Sequence, residues 1–213
     1  MKTILAYGDS LTYGADPVIA GKRHAYEDRW PTRLEAGLGG KARVIAEGLG
    51  GRTTAFDDYS SGADRNGARI LPTLLASHAP LDAVVIMLGS NDMKTYLNGS
   101  AHGAAMGMKR LIEIIRTHPW PLGAKTPEIV LVSPPHCVDT AHADLKPMFA
   151  HGIAESQLLA GYYARVANET GCRFLDAATV AKADPADGVH LDAFNTRAIG
   201  DALVPLVKEL LGL

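Results

Sequence analysis

At 213 residues, with 47% hydrophobic and 21% charged residues, the chain has the size and composition of one globular domain, 1–213, burying roughly 70% of its unfolded surface. A formal net charge of -2 supplies no basic field, which argues against nucleic acid or an anionic membrane as partner. No stretch approaches the roughly 18 consecutive apolar residues of a membrane span, and the first apolar run is far shorter than a signal-peptide core, so the expected location is the cytoplasm.

The first predicted element is a strand over 4–7, Ile-Leu-Ala-Tyr, stopped abruptly by Gly8-Asp9-Ser10. A polar loop leads to a helix at 30–38, where Trp30, Leu34 and Leu38 recur every four residues, Pro31 fits a first turn and Gly39-Gly40 ends the pattern. A short strand at 43–46 runs into Gly48-Leu49-Gly50-Gly51, a second transition from strand to glycine. The loop 55–66 is long and rich in Asp, Ser and Gly, a composition expected of a wall or lid of a site.

A helix is predicted over 67–78 despite Pro72, and then a nearly continuous apolar run, 81–88, of the kind covered on both faces of a parallel sheet. That run ends in Gly89-Ser90-Asn91-Asp92. Ala105, Met108, Leu111, Ile112 and Ile115 mark a helix over 101–118, 128–133 is a strand halted by Pro134-Pro135, and 136–151 has no clear period. A helix over 154–170, a last strand at 173–176 and a final helix over 193–210, capped by Asp192 and kinked at Pro205, complete the chain. Strands near 3, 43, 83, 129 and 173 alternating with helices predict a three-layer α/β sandwich around a five-stranded, mostly parallel sheet with right-handed crossovers.

The two cysteines are too few for a disulfide-stapled fold and are expected as free thiols, Cys172 packed inside its apolar run and Cys137 where it can line a pocket. The histidines 102, 118, 136, 142 and 151 are expected in loops or on the surface, and no metal-ligand spacing, dinucleotide fingerprint or phosphate loop stands out, so neither metal nor cofactor is expected.

Gly8-Asp9-Ser10 taken alone is an ordinary turn, and a serine there becomes a nucleophile only if a base reaches it. Asp187-Gly188-Val189-His190 supplies a candidate base, because a carboxylate three residues before a histidine can hold one imidazole nitrogen while the other points away. Asp184 and Asp192 compete for that role, and His190 also reads as a residue that merely precedes a helix. The Ser10 amide, a glycine amide of Gly50-Gly51 and the Asn91 side chain are donors on three loops at one sheet edge, where a developing oxyanion needs them.

The blocks Gly8-Asp9-Ser10-Leu11-Thr12, Gly48-x-x-Gly51, Gly89-x-Asn91-Asp92 and Asp187-x-x-His190, in that order, resemble the SGNH (GDSL) hydrolase superfamily. The segments 47–54, 65–68 and 86–92 are similar to its bacterial arylesterase/acyltransferase branch. The resemblance implies a flavodoxin-like SGNH fold, Ser10 as nucleophile, His190 as base, Asp187 as its orienter, and the Ser10 amide, Gly51 amide and Asn91 side chain as oxyanion donors. It also implies small acyl esters as substrates, water or an alcohol as acceptor, and a homo-oligomer with contacts in loops 55–66 and 136–151. Glu47 departs from the Asn found in many members, leaving open how its loop is anchored. The rivals are a carbohydrate acetylesterase on the same triad and, from another class, a flavodoxin-like module whose glycine-rich loops bind an anion.

Overall fold

The computed structural model describes residues 1–97 and 99–213. Five strands form one parallel sheet: β1 (Lys2–Gly8), β2 (Ala42–Gly48), β3 (Ala83–Met87), β4 (Glu128–Ser133) and β5 (Arg173–Asp176), in the order β2-β1-β3-β4-β5. The helices are α1 (Ser10–Tyr13), α2 (Trp30–Gly37), α3 (Gly67–His78), α4 (Ala101–Thr117), α5 (Leu145–Met148), α6 (Gly152–Thr170) and α7 (Ala193–Leu211). The sequence pattern anticipates every strand and long helix. It does not predict the two four-residue helices, α1 at the serine turn and α5 inside the segment without a period, and it ends the last helix at 210, one residue before Leu211.

Alternation along the buried strands divides the core into two layers. Leu5, Tyr7, Val84, Ile86, Ile129 and Leu131 face α3, α4 and α6. Ile4, Ala6, Ala83, Val85, Val130 and Val132 face α2 and α7. This is the period-2 geometry of a strand read on a sheet covered on both faces.

Helix starts are set by side chains that satisfy otherwise orphaned amides. Asn66 accepts from the Ala68 and Arg69 amides at the start of α3, Ser100 from Gly103 before α4, and Asp192 from Asn195 before α7. The first and last long helices pack together: Trp30 N donates to Thr196 Oγ1 at 3.2 Å and Arg33 Nε to Asp201 Oδ1 at 2.6 Å.

The large buried aromatics carry their polar tips to the sheet's C-terminal edge. Tyr7 donates to the Gly67 carbonyl at 2.7 Å, Tyr163 to the Leu88 carbonyl at 2.9 Å, and Trp30 Nε1 to Thr12 Oγ1 at 3.2 Å. Those bonds brace the ends of β1 and β3, the strands between which the winding of the sheet reverses, and ligands of open α/β sheets bind at that reversal.

The cysteine expectation is corrected in part. Both thiols are free, but Cys172 is only half-buried because it precedes β5, an edge strand with one neighbour, whereas Cys137 is buried with Phe149 and Val189. Burial pushes the Cys137 thiol up to about 11, so it is not a thiolate at neutral pH.

Candidate active site

Ser10 opens α1 directly beyond β1. Asp9 caps that turn, its Oδ1 accepting the Leu11 amide at 2.9 Å, so the serine is presented by the first residues of a helix whose entry is fixed. Ser10, Gly51, Asn91, Asp187 and His190 all line one cavity of about 930 Å³.

Asp187 organises its segment by itself. Its Oδ1 accepts the backbone amides of Val189 and His190 at 2.9 and 2.8 Å, and its Oδ2 accepts from His190 Nδ1 at 2.5 Å. Burial works against its ionisation, but the His190 contact and the two amides outweigh it and hold the carboxyl below its ordinary value. With Nδ1 occupied, Nε2 is the nitrogen left for chemistry. No hydrogen bond joins it to Ser10 Oγ among the described residues; such contacts commonly tighten when substrate binds. The competing acids are engaged elsewhere, Asp184 with the Ala186 amide and Asp192 at the cap of α7.

Gly188 allows the turn between Asp187 and His190: its φ is +82°, and a Cβ there would lie 2.5 Å from the Val138 carbonyl oxygen. That close approach seats the segment against 136–140, where Val138 N donates to Gly188 O at 2.9 Å. On the other side His24 Nε2 donates to the Leu191 carbonyl at 2.7 Å. The isolated His24 carried no sequence signal for this role, since its partner lies at the far end of the chain.

Asn91 sits in a 3-10 turn after β3, and its Nδ2 donates to Asp9 Oδ2 at 3.1 Å and to the Arg52 carbonyl at 3.2 Å. The amide is thus aimed by two acceptors, one of which must share its proton with a bound oxyanion. Behind it stands a second buried carboxylate. Asp92 accepts the Thr54 amide at 3.0 and 3.1 Å and the Thr54 hydroxyl as well. Burial pushes Asp9 up to about 6 and Asp92 up to about 7, the latter with added repulsion from Asp9.

The loop after β2 is anchored by Arg52, not by Glu47. Arg52 Nη1 donates to the carbonyls of Gly8 (2.8 Å) and Glu47, and its guanidinium stacks 4.4 Å from the centroid of the Tyr7 ring. The Glu47 side chain turns instead to His78, 2.9 Å away. Gly51 has φ +84°, and a Cβ at that position would come 2.4 Å from Arg65 Nε.

The loops 55–66 and 136–151 both reach the cavity, through Ser60 and Arg65 in the first and Leu145, Met148 and Phe149 in the second. Among the described residues no group of three or more His, Cys, Asp or Glu side chains could hold a metal ion, and no helix is long and apolar enough to cross a membrane.

Comparison with known proteins identifies the family. The model of the GDSL-like Lipase/Acylhydrolase family matches residues 6–196. A carbohydrate acetylesterase family member from Sinorhizobium meliloti is 54% identical over 100% of both chains, with a TM-score of 0.97. The native aryl esterase of M. smegmatis is 38% identical over 99% of this chain and 100% of its own, with a TM-score of 0.94. A member of the lipolytic G-D-S-L family from Veillonella parvula, at 13% identity and a TM-score of 0.70, shares the fold. Comparison with curated proteins by sequence finds no match. On the family match and these whole-chain similarities, the chain belongs to the GDSL-like lipase/acylhydrolase family and is a serine carboxylic ester hydrolase.

Proposed function

We propose that one domain spanning 1–213 hydrolyses small acyl esters through an acyl-enzyme on Ser10. The observation that carries this reading is the oriented His190–Asp187 pair lining the same cavity as Ser10, Gly51 and Asn91. His190 Nε2 takes the Ser10 hydroxyl proton as Oγ attacks the ester carbonyl. The oxyanion is received by the amides of Ser10 and Gly51 and by Asn91 Nδ2, and Asp187 stabilises the imidazolium. Collapse breaks the bond to the alcohol, which leaves with the proton from His190. Water then repeats the sequence in reverse to release the acid and free Ser10.

Apolar side chains on the cavity wall, Leu49, Met148, Phe149 and Val189, suit an aryl or alkyl group. An alcohol bound there would compete with water for the acyl-enzyme, giving acyltransferase activity. The similarity to a carbohydrate acetylesterase supports acetylated sugars as a second substrate class. A cytoplasmic homo-oligomer completes the reading, with the exposed Tyr59 and Tyr96 beside the cavity mouth available for contacts and light scattering as the check.

The test is Ser10→Ala assayed on para-nitrophenyl acetate, with mass spectrometry of the native protein after a serine-directed phosphonate. Loss of turnover with an intact fold, and a single adduct on Ser10, are expected. Near-native turnover by the variant refutes the assignment. Phosphate binding without any adduct would favour the anion-binding module.

A further inference from the structure

One wall of the cavity holds chemistry that the triad does not use. Arg65 and Lys94 both line it, and both are bonded to the same oxygen of one carboxylate: Asp58 Oδ2 accepts from Arg65 Nη1 at 3.2 Å and from Lys94 Nζ at 2.7 Å. Asp58 has no exposed side-chain surface and is not among the lining residues, so it stands behind the cations. The cavity therefore meets two positive charges backed by one negative charge.

The remaining charges do not cancel this excess: the buried Asp9 feels Arg52 more strongly than Lys94, and the others are paired. Lys22 and Asp16 pair with each other at 3.5 Å, and Asp187 is committed to His190. Asp57 and Asp64 pair with Arg69 on the outer, solvent-screened side of the loop. Lys94 keeps only 5% of its side-chain surface and Arg65 18%, so the field they set up is little screened by water.

Donors remain available on this wall. Arg65 Nη1 is taken by Asp58 and Ser60, but Nη2 has no hydrogen-bond partner among the described residues; Nε is packed against Gly51, out of a ligand's reach. Lys94 spends one of its three protons on Asp58. Tyr96 donates to the same Asp58 oxygen at 3.2 Å, and Ser60 Oγ, which accepts from Arg65, lies 3.2 Å from the Tyr96 hydroxyl.

From this asymmetry we propose that the cavity selects esters carrying a carboxylate remote from the scissile bond, received by Arg65 and Lys94. A planar guanidinium beside an ammonium, both partly dehydrated, matches a carboxylate in charge and donor geometry. The proposal rests on the esterase reading above and narrows its substrate class.

The test compares kcat/KM within two matched pairs. Mono-para-nitrophenyl adipate against para-nitrophenyl hexanoate places the charge on the acyl half. Para-acetoxybenzoate against its methyl ester places it on the alcohol half. At low ionic strength the native protein is expected to favour the charged member of at least one pair by about tenfold, and the preference should shrink towards unity in about 1 M salt. Arg65→Gln and Lys94→Gln should each reduce the ratio, which is measured within one variant so that a change in overall rate cancels. Should either variant fail to fold, the salt series on the native protein and inhibition by free adipate, compared with adipamide, carry the same test. Equal or faster turnover of the neutral member in both pairs overturns the proposal and leaves the esterase reading intact. A protein that turns over none of the four esters and takes no phosphonate overturns both.

Discussion

Replacing Asp187 by Asn separates a catalytic role from a structural one, because it changes one atom and keeps the shape. In the native side chain Oδ1 accepts two backbone amides at 2.9 and 2.8 Å while Oδ2 accepts from His190 Nδ1 at 2.5 Å. An Asn in the same position keeps the oxygen on those amides and turns its own N–H towards Nδ1. The imidazole must then surrender its Nδ1 proton and carry it on Nε2, where it can no longer accept from Ser10, and the charge that balances the imidazolium is lost. The two effects together are expected to lower kcat about ten-thousand-fold, or about 5 to 6 kcal/mol of transition-state stabilisation. The backbone contacts survive, so stability should change by only about 1 kcal/mol. Steady-state hydrolysis of para-nitrophenyl acetate, with thermal melting followed by circular dichroism, reads both quantities. A variant within about tenfold of native turnover would refute the tautomer argument, and a large fall in melting temperature with kcat preserved would reassign Asp187 to folding.

Other expectations follow from the same contacts. Asn91→Ala should cut kcat by about 100- to 1,000-fold with little change in KM, and also lower the melting temperature because it strips Asp9 and the Arg52 carbonyl of a donor. Gly51→Ala forces φ +84° on a residue with a Cβ and pushes into Arg65, so calorimetry should show a loss of about 1 to 3 kcal/mol together with reduced turnover. Asp58→Ala leaves Lys94 buried without its carboxylate, and urea unfolding should report a loss of about 3 to 5 kcal/mol. Asp9 and Asp92 bind protons more tightly folded than unfolded, having risen from 3.8 to about 6 and about 7. Their contribution is complete below about pH 4 and is lost as pH rises to the folded values, so stability should decline between about pH 4 and 7 and level off above, and Asp92→Asn should flatten that slope in chemical unfolding.

The sheet and the reactive groups were readable because each is written in local sequence. Apolar runs such as 81–88 and 128–133 announce strands covered on both sides, and Asp187-x-x-His190 places two interacting groups within one turn. What could not be read depends on pairings between distant segments. Asp92 follows β3 in an ordinary glycine-containing run, and its partner, Thr54, lies on another loop. The wall built from Asp58, Arg65 and Lys94 joins an irregular loop to a turn after β3, and nothing periodic links them. Cys172 is a similar case, since the short segment Arg173–Asp176 does not say whether its strand will be central or at an edge. Glu47 is the converse case, where a departure from the family pattern proved harmless because Arg52 ties the loop through backbone carbonyls.

The clasp between α2 and α7 bears on how the protein is made. Trp30 and Arg33 find their partners in Thr196 and Asp201, 166 and 168 positions further along the chain. Until α7 has been translated, Trp30 lacks its cover on that side of the sheet. That layer of the core therefore closes only after translation has passed residue 201, long after the strands beneath it exist.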